Sequence, residues 1–152
     1  MSGSGGFGFM AVVEQMVSKF RAGKAFVTIN TGETLCQPSI VACEVGAVVW
    51  PEATNVVCAS TGGRILTFDI SEIKTLIHGG RGLMLIDLQA NDTLAGAAAY
   101  TRSVRLEGTG RGGKPRSETL EIRSLNNARS ARARKGKMAD LGFKPTTVTR
   151  VL

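Results

Sequence analysis

Gly62-Gly-Arg-Ile-Leu-Thr-Phe-Asp-Ile70 is followed, after a polar connector, by His78-Gly-Gly-Arg-Gly-Leu-Met-Leu-Ile86. In the first stretch Leu66, Phe68 and Ile70 alternate with Thr67 and Asp69, the period-two pattern of a strand with one buried face. The second opens on glycines and a cation and then turns apolar, which reads as a tight turn feeding another strand. The connector Ser71–Ile77 places Ile73 and Leu76 three apart, and it predicts a short helical turn.

Both stretches recur. Gly5-Gly-Phe-Gly-Phe-Met-Ala-Val-Val13 lies 57 residues before the first, and its connector Glu14–Phe20 predicts a second short helical turn. The glycine-cation turn returns in Arg21-Ala-Gly-Lys-Ala-Phe-Val-Thr-Ile29 and in Arg134-Lys-Gly-Lys-Met-Ala-Asp-Leu141. Matching Gly23, Gly80 and Gly136 gives spacings of 57 and 56 residues. A third copy of the strand is expected at Thr119-Leu-Glu-Ile-Arg123, and further strands at Val56-Val-Cys-Ala59 and Ser103-Val-Arg-Leu106. Several strands per repeat predict an all-β, propeller-like domain over residues 1–152, with repeats at about 5–50, 51–106 and 107–152. A two-sheet sandwich is the alternative, and the even repeat counts against it.

Composition narrows the function. Of 152 residues 43% are apolar, too many for a disordered tail. No run of about 18 apolar residues exists, and no basic segment precedes an apolar one at the N-terminus, so neither a membrane span nor a signal peptide is expected. Cys36, Cys43 and Cys58 form no Cys-x-x-Cys pair, and His78 stands alone. They read as free thiols in a reducing cytoplasm rather than zinc ligands. The net charge of +7 is uneven: residues 1–100 carry six cations and eight anions, residues 101–152 thirteen and four. That asymmetry points to a polyanionic partner for the last third.

The repeated residues also resemble a known family. Gly-Arg-Ile-Leu-Thr-Phe, Ser-Glu-Ile and Gly-Gly-Arg-Gly-Leu-Met-Leu-Ile-Asp-Leu are similar to the blade motif of type IIA topoisomerase A subunits. The opening Gly-Phe-Gly-Phe-Met-Ala and the closing Arg-Lys-Gly-Lys-Met-Ala-Asp-Leu-Gly-Phe resemble topoisomerase IV in particular, over about Gly5 to Val151. The resemblance implies a C-terminal β-pinwheel whose blades exchange strands around an axis. Three repeats are fewer than a closed ring requires, so either an open arc, with exposed sheet edges, or a truncated piece of a longer domain is expected. Gyrase A subunits carry the box Gln-Arg-Arg-Gly-Gly-Lys-Gly; no turn here preserves it, which favours the topoisomerase IV branch and counts against strong wrapping.

The resemblance further implies duplex DNA as ligand, bound without catalysis. ATP, magnesium, the ATPase-bearing B subunit and the rest of the A subunit would serve decatenation and supercoil relaxation by the whole cytoplasmic, nucleoid-associated enzyme. Glycine lets backbone approach a phosphate while a neighbouring cation supplies charge. The candidate contacts are therefore Lys19, Arg21, Lys24 and Arg81, then Arg129, Arg132, Arg134, Lys135 and Lys137, with Arg111, Lys114 and Arg116 in a glycine-rich loop. Two other classes stay open: a propeller-like module that binds an acidic protein, and an RNA-binding barrel.

Three catalytic-looking motifs fail on context. Gly3-Ser-Gly-Gly-Phe-Gly8 has no strand before it. Gly108 through Lys114 nearly makes a phosphate-binding loop, but Pro115 stands where Ser or Thr must hold magnesium. Ala97-Ala-Ala-Tyr-Thr-Arg102 carries a tyrosine, yet the family's nucleophile lies in a winged-helix domain, so Tyr100 reads as a packed strand residue.

Overall fold

The computed structural model describes residues 1–41 and 53–151, together with the backbone of 44–45 and 48–49. Cys43 and the expected repeat boundary at 50/51 lie outside the described residues. The chain is all-β. Its strands are β1 (Phe7–Gly8), β2 (Glu44–Val45), β3 (Val48–Val49), β4 (Asn55–Ser60), β5 (Arg64–Asp69), β6 (Leu83–Met84), β7 (Leu94–Tyr100), β8 (Ser103–Gly110), β9 (Pro115–Glu121), β10 (Lys137–Met138) and β11 (Phe143–Val151). Helical turns α1 (Val13–Met16) and α2 (Ile122–Asn126) and a 3-10 turn at Ile70–Glu72 follow β1, β9 and β5.

The described strands form four antiparallel sheets: β1-β6, β10-β5-β4-β7, β11-β8-β9 and the pair β2-β3. The hairpin β4-β5 turns through Thr61–Gly63, and β7 lines its inner side with Asn55 opposite Tyr100. The outer strand of a sheet arrives from later in the sequence. Leu83 pairs with Gly8, and Lys137 pairs with Ile65. Strands are thus passed backwards from one sheet to the one before it, and β9 receives none among the described residues.

Two apolar clusters flank β4 and β5. On one side lie Val57, Ile65, Tyr100, Val104, Leu106, Leu125 and Val148. On the other lie Val56, Cys58, Leu66, Phe68, Ile73, Leu85 and Leu94. The alternation in Leu66-Thr-Phe-Asp predicts one wet face; instead Thr67 is fully buried. Its hydroxyl donates to the Leu125 carbonyl at 3.1 Å and its N–H to the Ala128 carbonyl at 3.0 Å, which satisfies the polar atoms a buried threonine brings. Ile70 leaves the strand and opens the 3-10 turn, capped by the Asp69 carboxylate, which accepts from the Ser71 N–H at 2.9 Å.

The third strand copy lies earlier in the chain than expected, at Pro115–Glu121 in place of Thr119–Arg123. β9 ends at Glu121, and Ile122–Asn126 coil into α2, which buries Leu125 while Ile122 stays exposed. The apparent alternation of Leu120 and Ile122 with charges arises where a strand passes into a helix.

The repeat register also shifts. Met10 bridges Thr75 as Thr67 bridges Arg129, and the Thr28 N–H donates to the Gly80 carbonyl as the Asp87 N–H donates to that of Arg134. These pairs align Gly23 with Gly82 and then with Gly136, spacings of 59 and 54 residues, in place of the even spacing through Gly80. All three have positive φ, at 73°, 84° and 69°.

Asp92 ties the β4-β5 turn to the segment before β7. Burial works against its charge, but hydrogen bonds from Ser60 and Thr61 and from the N–H groups of Gly62 and Thr93 outweigh it, and the carboxyl sits below its ordinary range. A depressed folded value means its stabilisation is present above the unfolded pKa of about 4 and is lost as pH falls through the folded value. Urea unfolding of Asp92→Asn should therefore show lower stability at neutral pH and a flatter acid limb than the parent. Parallel curves at every pH would remove this role.

Candidate nucleic-acid interface

Ten of the twelve candidate cations are exposed, while Arg81 and Arg132 are half-buried and held by several partners. Arg81 grips Glu33 with both terminal nitrogens, at 2.9 and 3.3 Å, and its guanidinium lies 4.3 Å from the Phe7 ring centre. The Glu33 carboxyl is held below its ordinary range by the Asn30 N–H and then by Arg81. Arg132 donates through Nε to the Glu72 carbonyl at 3.0 Å and through Nη1 to the Met84 carbonyl, while its N–H meets the Glu72 carboxylate at 2.8 Å. Both arginines clamp one repeat to the next.

Two further candidates are partly engaged. Arg129 donates to the Asn55 side chain and stands 3.8 Å from Asp69. Lys24 donates to the Gln15 carbonyl and stands 5.5 Å from the Phe26 ring centre. Lys19, Arg21, Arg134, Lys135, Lys137, Arg111, Lys114 and Arg116 form no ion pair among the described residues. The last three surround the β8-β9 turn, where the Gly110 N–H donates to the Lys114 carbonyl at 2.8 Å and Gly112 and Gly113 take positive φ. This turn ends in a strand rather than a helix, so it lacks the dipole and N–H cluster of a nucleotide loop.

Two cations outside the predicted set lie near it. Arg64 and Lys144 line an open cleft with Asn91, Asp92 and Met138. Their sequence signal is Gly63-Arg64 and Gly142-Phe-Lys144, which repeat the glycine-cation pattern. Arg64 is partly engaged as well, donating to the Gly136 carbonyl at 3.3 Å across the β5-β10 junction.

The catalytic-looking motifs become structural parts. Gly3–Gly8 forms a tight hairpin in which the Gly3 N–H donates to the Phe7 carbonyl at 2.9 Å. Tyr100 is fully buried, and burial pushes its phenol pKa up, the reverse of what a nucleophile needs. Cys58 is buried and Cys36 half-buried; both are free thiols, and burial raises the pKa of each.

Set against known proteins, the arrangement has clear relatives. The A subunit of DNA topoisomerase 4 from Neisseria gonorrhoeae is 30% identical over 135 residues, 88% of this chain and 17% of that protein. The chain is a domain of the topoisomerase IV A-subunit family. Three solved structures share its β-pinwheel fold. The E. coli ParC C-terminal domain superposes with a TM-score of 0.75 at 23% identity, covering 97% of this chain and 58% of that one. A C-terminal domain of DNA topoisomerase IV gives 0.69 at 13% identity, covering 97% and 44%. The DNA gyrase A C-terminal domain gives 0.66 at 13% identity, covering 95% and 45%. No family model matches the chain. The pinwheel domain thus spans about half the length of the C-terminal domains it resembles, and a smaller part of the whole topoisomerase polypeptide.

Proposed function

We propose that this pinwheel domain is a non-catalytic, duplex-DNA-binding module of a type II topoisomerase, with its repeats acting as three blades of an open arc. Its basic turns contact and bend the duplex and help the whole enzyme select its substrate for ATP-dependent decatenation and supercoil relaxation. ATP, magnesium, the cleavage tyrosine and the ATPase-bearing B subunit belong to that larger cytoplasmic, nucleoid-associated assembly. The observation that carries the reading is the exposed cation set on the turns. Eight candidates project from glycine-bearing loops or their flanks with no acidic partner among the described residues. Such cations suit phosphates, which position a duplex without reading its bases. The low aromatic content, 5%, argues against a stacking platform for single strands.

The test is fluorescence anisotropy with a labelled random duplex of about 40 base pairs, at salt from roughly 50 to 200 mM, the range over which phosphate-driven affinity collapses. The parent should bind with steep salt dependence. The Arg134/Lys135/Lys137→Ala and Arg111/Lys114/Arg116→Ala variants should each bind more weakly, with the log–log slope reduced by about 1 for every phosphate left without its cation. An unchanged slope in both variants would take these turns out of the interface. Capture of an acidic protein without DNA affinity would replace DNA with a protein partner.

A further inference from the structure

One corner of the pinwheel occurs twice and is built differently each time. Phe7 pairs with Met84 where the second repeat meets the first, and Arg64 pairs with Met138 where the third meets the second. The Ser4 N–H donates to the Thr34 carbonyl and the Thr61 N–H to the Thr93 carbonyl, both at 2.8 Å, so Glu33 and Asp92 occupy equivalent places. Arg81 and Lys135 complete the match, each standing immediately before its positive-φ glycine.

At the first corner these residues close on one another. Arg81 holds Glu33 and lies over the Phe7 ring, which leaves no room for a water molecule. At the second corner Arg64 stands in place of the ring, so a cation at position 135 meets like charge, and Lys135 stays exposed. Asp92 is one methylene shorter than Glu33 and is turned to the hairpin. It accepts from the Thr61 hydroxyl at 3.0 Å and from the Gly62 and Thr93 N–H groups at 2.9 Å each. It forms no ion pair among the described residues. What remains is an open cleft of about 370 Å³. Its walls are drawn from residues 61–144, and described chain flanks them on both sides.

Two cations reach this cleft with donors unused. Arg64 directs Nη1 to the Gly136 carbonyl, while its buried Nε has no acceptor among the described residues. Lys144 forms no ion pair among them. A guanidinium fork beside an ammonium suits an oxyanion, and the fork matches two phosphate oxygens. No aromatic side chain lines the cleft, so a nucleobase gains no stacking there.

We propose that the cleft between Arg64 and Lys144 binds a phosphate group, which closes the second corner as Arg81 and Glu33 close the first. The bound group supplies from outside the negative charge that Asp92 has turned away. Lys144 lies opposite Thr109, and Arg116 opposite Gly108, so the cleft adjoins the basic β8-β9 turn. A duplex on that turn would present its backbone phosphates here; that source rests on the duplex reading, whereas a free phosphate compound does not.

The probe is inorganic pyrophosphate at constant ionic strength, titrated into the isotope-labelled whole chain and followed by amide NMR shifts. Saturating shifts should centre on Gly62, Arg64 and Asn91, and the thermal midpoint should rise. Lys144→Gln, at an exposed side chain, and Arg64→Gln/Lys144→Gln should each weaken that binding by roughly tenfold or more. Arg64→Phe/Asp92→Glu/Lys135→Arg copies the first corner and should abolish it. With the duplex of about 40 base pairs, cleft shifts and a salt slope lowered by about 1 in the double variant would identify the backbone as the source. Pyrophosphate binding with an unchanged slope would instead identify free phosphate compounds. A parent that binds duplex but shows no cleft shifts with pyrophosphate overturns the cleft and spares the duplex reading; the opposite pair of results spares the cleft alone. Unweakened pyrophosphate binding by Lys144→Gln, or saturation of the cleft by a polyglutamate peptide but not by pyrophosphate, would also overturn the proposal.

Discussion

Gly82→Ala is expected to destabilise the domain by about 3 kcal/mol or more, a large share of the roughly 5–15 kcal/mol that holds a domain folded. Gly82 has φ of 84°, and a Cβ there would lie 2.1 Å from the Gly8 carbonyl oxygen, in the strand that receives β6. Two penalties add: a left-handed backbone for an L side chain, and a clash with backbone that no rotamer change relieves. Gly23→Ala is the internal control. Gly23 has nearly the same φ, at 73°, but nothing lies within 4 Å of its Cβ position. Only the conformational penalty of about 1 kcal/mol should remain. Urea denaturation of both variants decides the matter, because equal losses would mean that strand donation does not make Gly82 special.

Arg132→Ala should lower stability by about 2 kcal/mol and leave the salt slope of DNA binding unchanged. Its guanidinium donates to two backbone carbonyls, of Glu72 and Met84, and charge-assisted bonds of this kind contribute about 1.5–3 kcal/mol before allowance for partial exposure. Arg134→Ala, two residues away and free of any ion pair among the described residues, should show the reverse: near-parental stability with a reduced slope. The two arginines look alike in sequence, and only their partners separate a clamp from a proposed phosphate contact. A stable Arg132→Ala with a reduced slope would reverse the assignment.

These contrasts mark how far the sequence can be read. The apolar patterns of β4, β5 and β8 are visible in it, and the family resemblance leads to the pinwheel. What stays hidden is long-range. Thr67 reads as a wet face because the acceptor of its hydroxyl, the Leu125 carbonyl, lies 58 residues away. Gly80 reads as the repeat glycine because Gly79 and Gly80 are adjacent, and only pairing with β1 fixes Gly82 as the one that packs against the receiving strand. Arg81 and Arg132 read as phosphate contacts because a local motif says nothing about Glu33, Glu72 or the Met84 carbonyl. Local pattern gives a residue's type of environment; its partner comes from topology.

Backward strand donation bears on how the domain is made. β5 finds its outer neighbour only at Lys137, more than sixty residues later, and β1 waits equally long for Leu83. On a ribosome that adds residues at about 5–20 per second, each hairpin stands with a bare edge for several seconds before the next repeat emerges. Synthesis is therefore the period of greatest exposure to mispairing. A translational pause placed after any hairpin would lengthen that exposure, whereas rapid passage through the following repeat would end it.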